Sequence, residues 1–364
     1  MRAGPARGCS MSAAAPVPSA SLRVRYRAIA ARRIGALAML ACVLVALLVV
    51  DIATGPSSFP VADIVTGLFR PDGLPLEQRV ILWNVRLPYA LMAVLVGAAL
   101  GLAGAEMQTV LNNPLASPFT LGIAAAGSVG ASLVVISGWH LVLWNENLAL
   151  SLGAFGCALS ATLLIVWLAW RHGATTETVV LFGIGLMFSF EALLWLLQFI
   201  ADANALQQIV FWSMGSLARA TWSKIAILAC VLAASVLWSA PGVASMTALR
   251  AGEEQARSMG IAVERLRLVT LVRISLLSAT ALSFVGTIGF VGLVGPHVAR
   301  LLVGDDHRHY LPGAALAGAI MLSAASVLSK TLVEGVVLPI GIITALVGVP
   351  LFMTLISRRR RLDG

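Results

Sequence analysis

The feature that most restricts this chain is a series of apolar runs of the length a bilayer demands. A helix rising 1.5 Å per residue needs roughly 20 apolar residues to cross the hydrocarbon. Tyr89 to Val110, Leu115 to Ser137, Leu148 to Trp170, Thr178 to Ile200 and Val336 to Ile356 meet that length. Ile34 to Val50, Ile225 to Ala240 and Leu311 to Val327 are shorter but have polar flanks, so tilt and interfacial residues complete them. In lipid every backbone amide needs an internal partner, so the expected fold is all-α, a polytopic bundle forming one membrane domain. Composition agrees: 59% of residues are hydrophobic and 11% charged, against about 25% charged in soluble domains.

Charge sets the orientation. Arg2 and Arg7, an Ala/Pro/Ser-rich stretch, and Arg23, Arg25, Arg27, Arg32 and Arg33 mark 1–33 as a disordered basic cytosolic tail. The run that follows is longer than a signal-peptide core and lacks a cleavage site, so it reads as a retained first span. Arg358 to Arg361 make 358–364 a second basic cytosolic tail. Both ends are then cytoplasmic and the number of spans is even.

The stretch Ile274 to Val303, interrupted by Gly286, Gly289, Gly292, Gly295 and Pro296, divides into two short helices and brings the total to ten within 34–357. Arg171, Arg250 to Arg273 and Arg300 to Arg308 then fall in cytosolic loops. Of the 25 Lys and Arg residues, only Arg70, Arg79, Arg86, Arg219, Lys224 and Lys330 lie outside. The net charge of +9 therefore reflects topology, and no nucleic-acid surface is expected. Small residues crowd Gly97 to Gly104 and Gly313 to Gly318, a signal for close helix packing in lipid.

Catalytic chemistry is not expected. The only lysines, Lys224 and Lys330, follow serines, so no G-x-x-x-x-G-K-[ST] phosphate loop exists and any ATP hydrolysis belongs to a partner. H-E-x-x-H and G-x-S-x-G are absent. Cys9, Cys42, Cys157 and Cys230 have no metal-ligand spacing. Asp305, Asp306, His307 and His309 read as a solvated turn rather than a metal cluster, and His297 as structural. Glu106 and Glu191 lie within apolar runs, where carboxylates are costly unless they face protein or water. Glu106 is expected to meet Gln108, Asn112 or Asn113. Glu191 faces either the bundle or a pathway, and an ion-coupled secondary transporter would use both carboxylates.

The largest polar segment, 241–267, contains GEEQARSMG at Gly252 to Gly260. Alone it reads either as a solvated linker or as a short helix on the membrane face. Together with RLP at Arg86 to Pro88, NNPLASPFTLG at Asn112 to Gly122, FWSMGSL at Phe211 to Leu217, GTIGFVGLVGPHVARLLVGDDHR at Gly286 to Arg308 and LPIGIITALVGVPLF at Leu338 to Phe352, it resembles the FecCD/BtuC-like permeases of ATP-binding-cassette (ABC) importers for ferric siderophores, haem and vitamin B12.

The resemblance implies the BtuC-like, type II importer fold in a bacterial inner membrane, with a second permease copy, two ABC ATPases and a substrate-binding protein as partners. ATP and Mg would be held by the ATPase, and this chain would bind no cofactor. A bulky iron chelate, most often a ferric siderophore in this family, would be the cargo. Gly252, Glu253, Glu254, Ala256, Arg257 and Gly260 would form the coupling helix that enters the ATPase. Arg86 and Lys330 would dock the binding protein or, on the plainer reading, anchor helices at the interface. Tyr89 stands where the family often has a second arginine. Glu191 and the gate positions Asp202, Ala203 and Asn204 would line the pathway.

Overall fold

The computed structural model describes residues 19–55, 60–138 and 145–362. The long helices are α1 (Ser19–Ala53), α3 (Leu76–Val110, with a π-helical turn at Ile81–Arg86), α5 (Glu146–Arg171), α6 (Thr176–Ile200), α8 (Trp222–Ser239), α11 (Val263–Val285) and α13 (His307–Thr331). Three shorter apolar helices complete the set: α4 (Ile123–Ser137), α12 (Val291–Val303) and α14 (Ile340–Leu362), the last apolar as far as Thr354. Among the described residues these are the ten expected spans. The remaining helices lie between them: α2 (Val61–Phe69), α7 (Ala203–Ser213), α9 (Val243–Ala251) and α10 (Glu253–Ser258).

Contacts at the helix ends give the directions. Arg33 meets Asp306 and Asp51 meets Lys330, so α1 and α13 run parallel. Thr109 meets His307 while Tyr89 meets Ser329, so α3 runs against them. The turns at Arg171, Arg250 and Arg308 share one end of the bundle with the start of α1, termed here the basic face.

The core is α3, α11, α12 and α13. Backbones touch there because the facing residues lack side chains. A Cβ at Gly97 would lie 2.5 Å from the Gly318 carbonyl oxygen. One at Gly101 would overlap the Ala314 carbonyl, and one at Gly104 that of Gly292. Positions 97, 101 and 104 form one stripe at helical spacing, so the two small-residue motifs of the sequence meet each other. About 78% of the apolar stretches of α3 and α11 is buried, against 11% of α6, 17% of α1 and 22% of α8.

Four expectations are corrected. The N-terminal 1–33 tail is helical from Ser19, because α1 extends past its apolar run; residues 1–18 fall outside those described. The 358–364 tail is helical through Leu362 as the continuation of α14, with 363–364 outside those described. The span expected from Leu115 begins only at Ile123. Residues 111–122 instead form an irregular loop that tucks beneath the bundle, with Pro118 against Gly292 and Gly122 (φ +79) against Met187. Gly292 packs on Gly104, six residues and about 9 Å from the end of α3, so this backbone enters the membrane only where protein covers it.

Finally, Ile274 to Val303 breaks at Gly286 (φ +84) and Phe290 (φ +66), not at Pro296, which lies inside α12. Only α12 is short, since α11 starts at Val263 and absorbs what read as loop up to Arg273. The break is sealed internally: Ser216 N–H donates to Val285 O (2.6 Å), Gly341 N–H to Met214 O (3.0 Å), and Thr287 Oγ1 to Ser213 O. Gly348 leaves the space that Phe290 occupies.

The seam gives a direct expectation. Gly104→Ala should destabilise the purified chain by about 3 kcal/mol through overpacking. Gly156→Ala, where nothing lies within 4 Å, should be neutral or stabilising because it removes helix-interior glycine entropy. Thermal unfolding in detergent checks both.

Candidate functional site

The polar segment on the basic face folds into two helices at a sharp corner. From α8 the chain continues through a tight turn at Ala240–Gly242 into α9, bends at Gly252 (φ +144), forms α10, and turns again at Gly260 (φ +80). Only glycine adopts the φ at Gly252 without strain. Glu253 and Glu254 at the start of α10 and Arg257 at its end complement the helix dipole. Gly260 N–H to Arg257 O (2.9 Å) and Ile261 N–H to Ala256 O (3.1 Å) close its C-terminus. Ala256 is fully buried, while Glu254, Gln255, Arg257, Ser258 and Met259 are exposed. Met259 is 64% exposed, an unusual apolar tip on a polar surface.

Arg267, which the sequence offered only as a cytosolic basic residue, fixes this segment. Its guanidinium is 2% exposed and donates to Val110 O at the end of α3 (2.9 Å), to Ala174 O in the α5–α6 turn, and to Glu253 Oε2 (3.0 Å). One side chain thus ties α10 to α3, to α11 and to the α5–α6 turn. Glu253 Oε1 accepts from Arg257 (2.8 Å), which also donates to Glu264 (2.5 Å). The Arg257 hydrogen bond and then the Arg267 bond hold the Glu253 carboxyl below its ordinary range. Of the two acids singled out from the sequence, Glu253 faces the bundle and Glu254 faces solvent.

The turn of Asp305 and Asp306 is a junction rather than a free solvated loop. Asp305 meets Arg300 (3.0 Å) and Arg250 (3.3 Å), and Asp306 meets Arg33 (3.0 Å). Arg250 also donates to Asn112 (3.1 Å). His307, 1% exposed, lies between the hydroxyls of Thr109 (2.8 Å) and Thr247 (3.2 Å). The carboxylates were expected in water because the sequence does not show that three arginines of separate elements converge there. His297 is buried within α12.

Glu106 is 2% exposed and pairs with Arg273 (2.9 Å) and Ser239 (2.5 Å), not with Gln108, Asn112 or Asn113. A carboxylate at this depth requires both of its oxygens to be met in this way. At the face opposite the basic one, Lys330 Nζ contacts Asp51 Oδ1 (2.7 Å) and lies 4.4 Å from the Tyr89 ring centre. Ser326 also donates to Asp51 (2.7 Å). Arg86, 5% exposed, donates to the carbonyls of Ile52 and Ala53 (2.8 and 2.9 Å) and so caps α1. Arg86 and Lys330 share the wall of a cavity of about 490 Å³ with Thr54, Tyr89 and Val337. Asp51 sits at the very end of an apolar run, where the sequence does not mark it as intramembrane as it does Glu106 and Glu191.

Asp202 caps α7, its Oδ1 accepting from Ala205 N–H (2.8 Å), and Ala203 and Asn204 form the exposed first turn of that helix. Glu191 is half-buried on α6, among Phe188, Trp195 and Phe199, which are 60%, 65% and 88% exposed. It lies on a different helix from the three expected gate positions, nine residues before the end of α6.

Known proteins match this architecture. The model of the FecCD transport family matches residues 43–358. An ABC transporter permease of Methanocaldococcus jannaschii is 37% identical over 289 residues, covering 78% of this chain and 83% of that protein. The hemin transport system permease of Yersinia pestis is 36% identical, covering 76% and 83%. The vitamin B12 import system permease of Citrobacter koseri is 35% identical, covering 80% and 87%. Among solved structures, a metal-chelate type ABC transporter in an inward-facing conformation superposes with a TM-score of 0.78 at 29% identity, covering 88% of this chain and 98% of that one.

Two outcomes follow from the Arg267 junction. Arg267→Ala should cost about 3 kcal/mol, since it leaves two buried carbonyls without their donor and removes one of the two arginines on Glu253, and should raise hydrogen exchange in α10. Arg267→Lys should rescue only part, because an ammonium lacks the planar fork. As Glu253 titrates below its unfolded value of about 4.3, its contribution is complete above that pH and is lost as pH falls through the lower, folded value. Proteolytic nicking at α10 should therefore stay constant from neutral pH to about pH 5 and rise only in stronger acid.

Proposed function

Since the chain belongs to the FecCD transport family, a family of polytopic membrane permeases, we propose that it is the translocating subunit of a type II ABC importer for a bulky iron chelate, most often a ferric siderophore. The observation that carries this reading is α10. It is a short helix presented to solvent on the basic face and held to α3, α5–α6 and α11 by one buried arginine. A partner pressing on it displaces packed helices instead of bending a linker. The exposed Glu254, Gln255, Arg257 and Met259 are its contacts with an ABC ATPase, which supplies ATP and Mg. The basic face is cytoplasmic by the positive-inside rule, placing both termini inside the inner membrane.

The opposite face receives the substrate-binding protein. Arg86 and Lys330 in the wall of the cavity there suit an acidic side chain of that partner. The exposed apolar face of α6 is assigned to a second copy of this chain, since Glu191 would be costly against lipid. Glu191 and Asp202, Ala203 and Asn204 then border the shared pathway. The hemin and vitamin B12 permeases among the relatives keep haem and cobalamin as the alternative cargoes. Ion coupling finds less support, because Glu106 already holds Arg273 and Ser239.

Vesicles carrying this chain with its ATPase and binding protein should accumulate labelled ferric siderophore only with ATP, and Glu254→Lys should abolish that uptake while leaving the chain folded. Uptake of hemin or cobalamin alone would correct the cargo. Uptake driven by a proton or sodium gradient without ATP would overturn the importer reading.

A further inference from the structure

A cleft of about 540 Å³ opens between α3, α8 and α13 beside the basic face. Its walls are apolar, with Leu102 from α3, Val236 from the end of α8, Ala240 from the turn after it, and Leu311, Ala315 and Leu316 from α13. The buried His307 and the exposed Arg308, in the first turn of α13, line its end at the basic face. Leu316 lies nine residues beyond His307 along α13, so the cleft runs about 13 Å inward. That is close to the hydrocarbon depth of one leaflet, about 15 Å.

Adjoining α8 exposes Val236, Leu237 and Trp238 at 49%, 75% and 47%. With the α6 face assigned to the second copy, this apolar surface is left to face hydrocarbon, so the cleft opens toward the bilayer. Water gains no hydrogen bonds from walls of this kind, and no described residue fills them.

The mouth is positively charged. Asp305 and Asp306 are the acids there, and Arg250, Arg300 and Arg33 already hold them. The exposed Arg308 guanidinium has no side-chain partner among the described residues. The His307 ring nitrogens are both taken by Thr109 and Thr247, which leaves Arg308 to meet whatever enters. An apolar slot one leaflet deep with a lone cation at its rim matches one class of molecule.

We propose that this cleft holds one anionic phospholipid of the leaflet at the basic face, its acyl chain along Leu102, Val236, Ala315 and Leu316 and its phosphate on Arg308. The site is independent of the cargo and of ATP. It also has a mechanical place. Ser239, in its wall, donates to Glu106, and Val243, also in the wall, begins the helix that leads to α10. A resident lipid thereby fills the space behind the rod that joins α8 to the coupling segment.

Native mass spectrometry of the purified full chain, in micelles supplemented with equal phosphatidylglycerol or phosphatidylcholine, tests this. The wild type should retain one phosphatidylglycerol about fivefold more than phosphatidylcholine, the usual worth of one basic side chain at an anionic lipid. Arg308→Glu should erase that preference and Arg308→Lys should keep it. Ala315→Trp should expel both lipids by filling the slot. Size-exclusion profiles and thermal unfolding identify any variant that fails to fold, and Arg308→Lys and Ala315→Trp then carry the test between them. Equal retention of the two lipids by the wild type, an unchanged preference in Arg308→Glu, or undiminished binding in Ala315→Trp would each overturn the assignment.

Discussion

Everything in this protein is arranged around a backbone-to-backbone contact. Along α3, Gly97, Gly101 and Gly104 let the chain approach α13 and α12 until carbonyl oxygens occupy the space where side chains would be. In hydrocarbon there is little hydrophobic drive between helices, so dispersion across close surfaces must hold them together. The seam provides that contact, and it fixes the depth of α12. With α12 fixed, the loop 111–122 has a protein surface beneath which to fold, and a backbone that lipid would exclude becomes tolerable.

Charge at the basic end is used differently. Buried and half-buried arginines there bind backbone carbonyls and carboxylates, and Arg267, Arg250 and Arg33 join elements distant in sequence. Arg267 links α11 to α3, to the α5–α6 turn and to α10. Arg250 and Arg300 converge on Asp305, and Arg33 brings α1 to Asp306. The residues that mark topology in the sequence are therefore also the fasteners of the basic face. The exposed helix α10 is coupled to the core by the most buried of them.

Much of this was legible in the sequence because lipid simplifies the problem. Length and apolarity marked the spans, arginine distribution marked which loops share one face, and the GAALGLAG and GAALAG motifs announced close packing. The sequence was less informative wherever a polar residue chose among distant partners. Glu106 has three amides nearby in sequence but takes Arg273, because helix directions bring α11 and not the α3–α4 loop beside it. Arg267 lies in a stretch as polar as any loop, and only the fold shows it to be buried. Asp51 and Lys330 are 279 residues apart, and no local pattern connects them. Glu253 and Glu254 are adjacent and chemically alike, and helical geometry alone turns one inward and the other outward.

The central claim is that α10 and the membrane core move as one body. Pulsed electron paramagnetic resonance on the assembled transporter addresses it most directly, with spin labels at Gln255 on α10 and His172 in the α5–α6 turn, in a background lacking the native cysteines. The account predicts a single narrow distance distribution that is unchanged by ATP, since Arg267 spans the two elements. A distribution that broadens or shifts when ATP binds would contradict it, and would show that α10 pivots on its glycines and leaves the core behind.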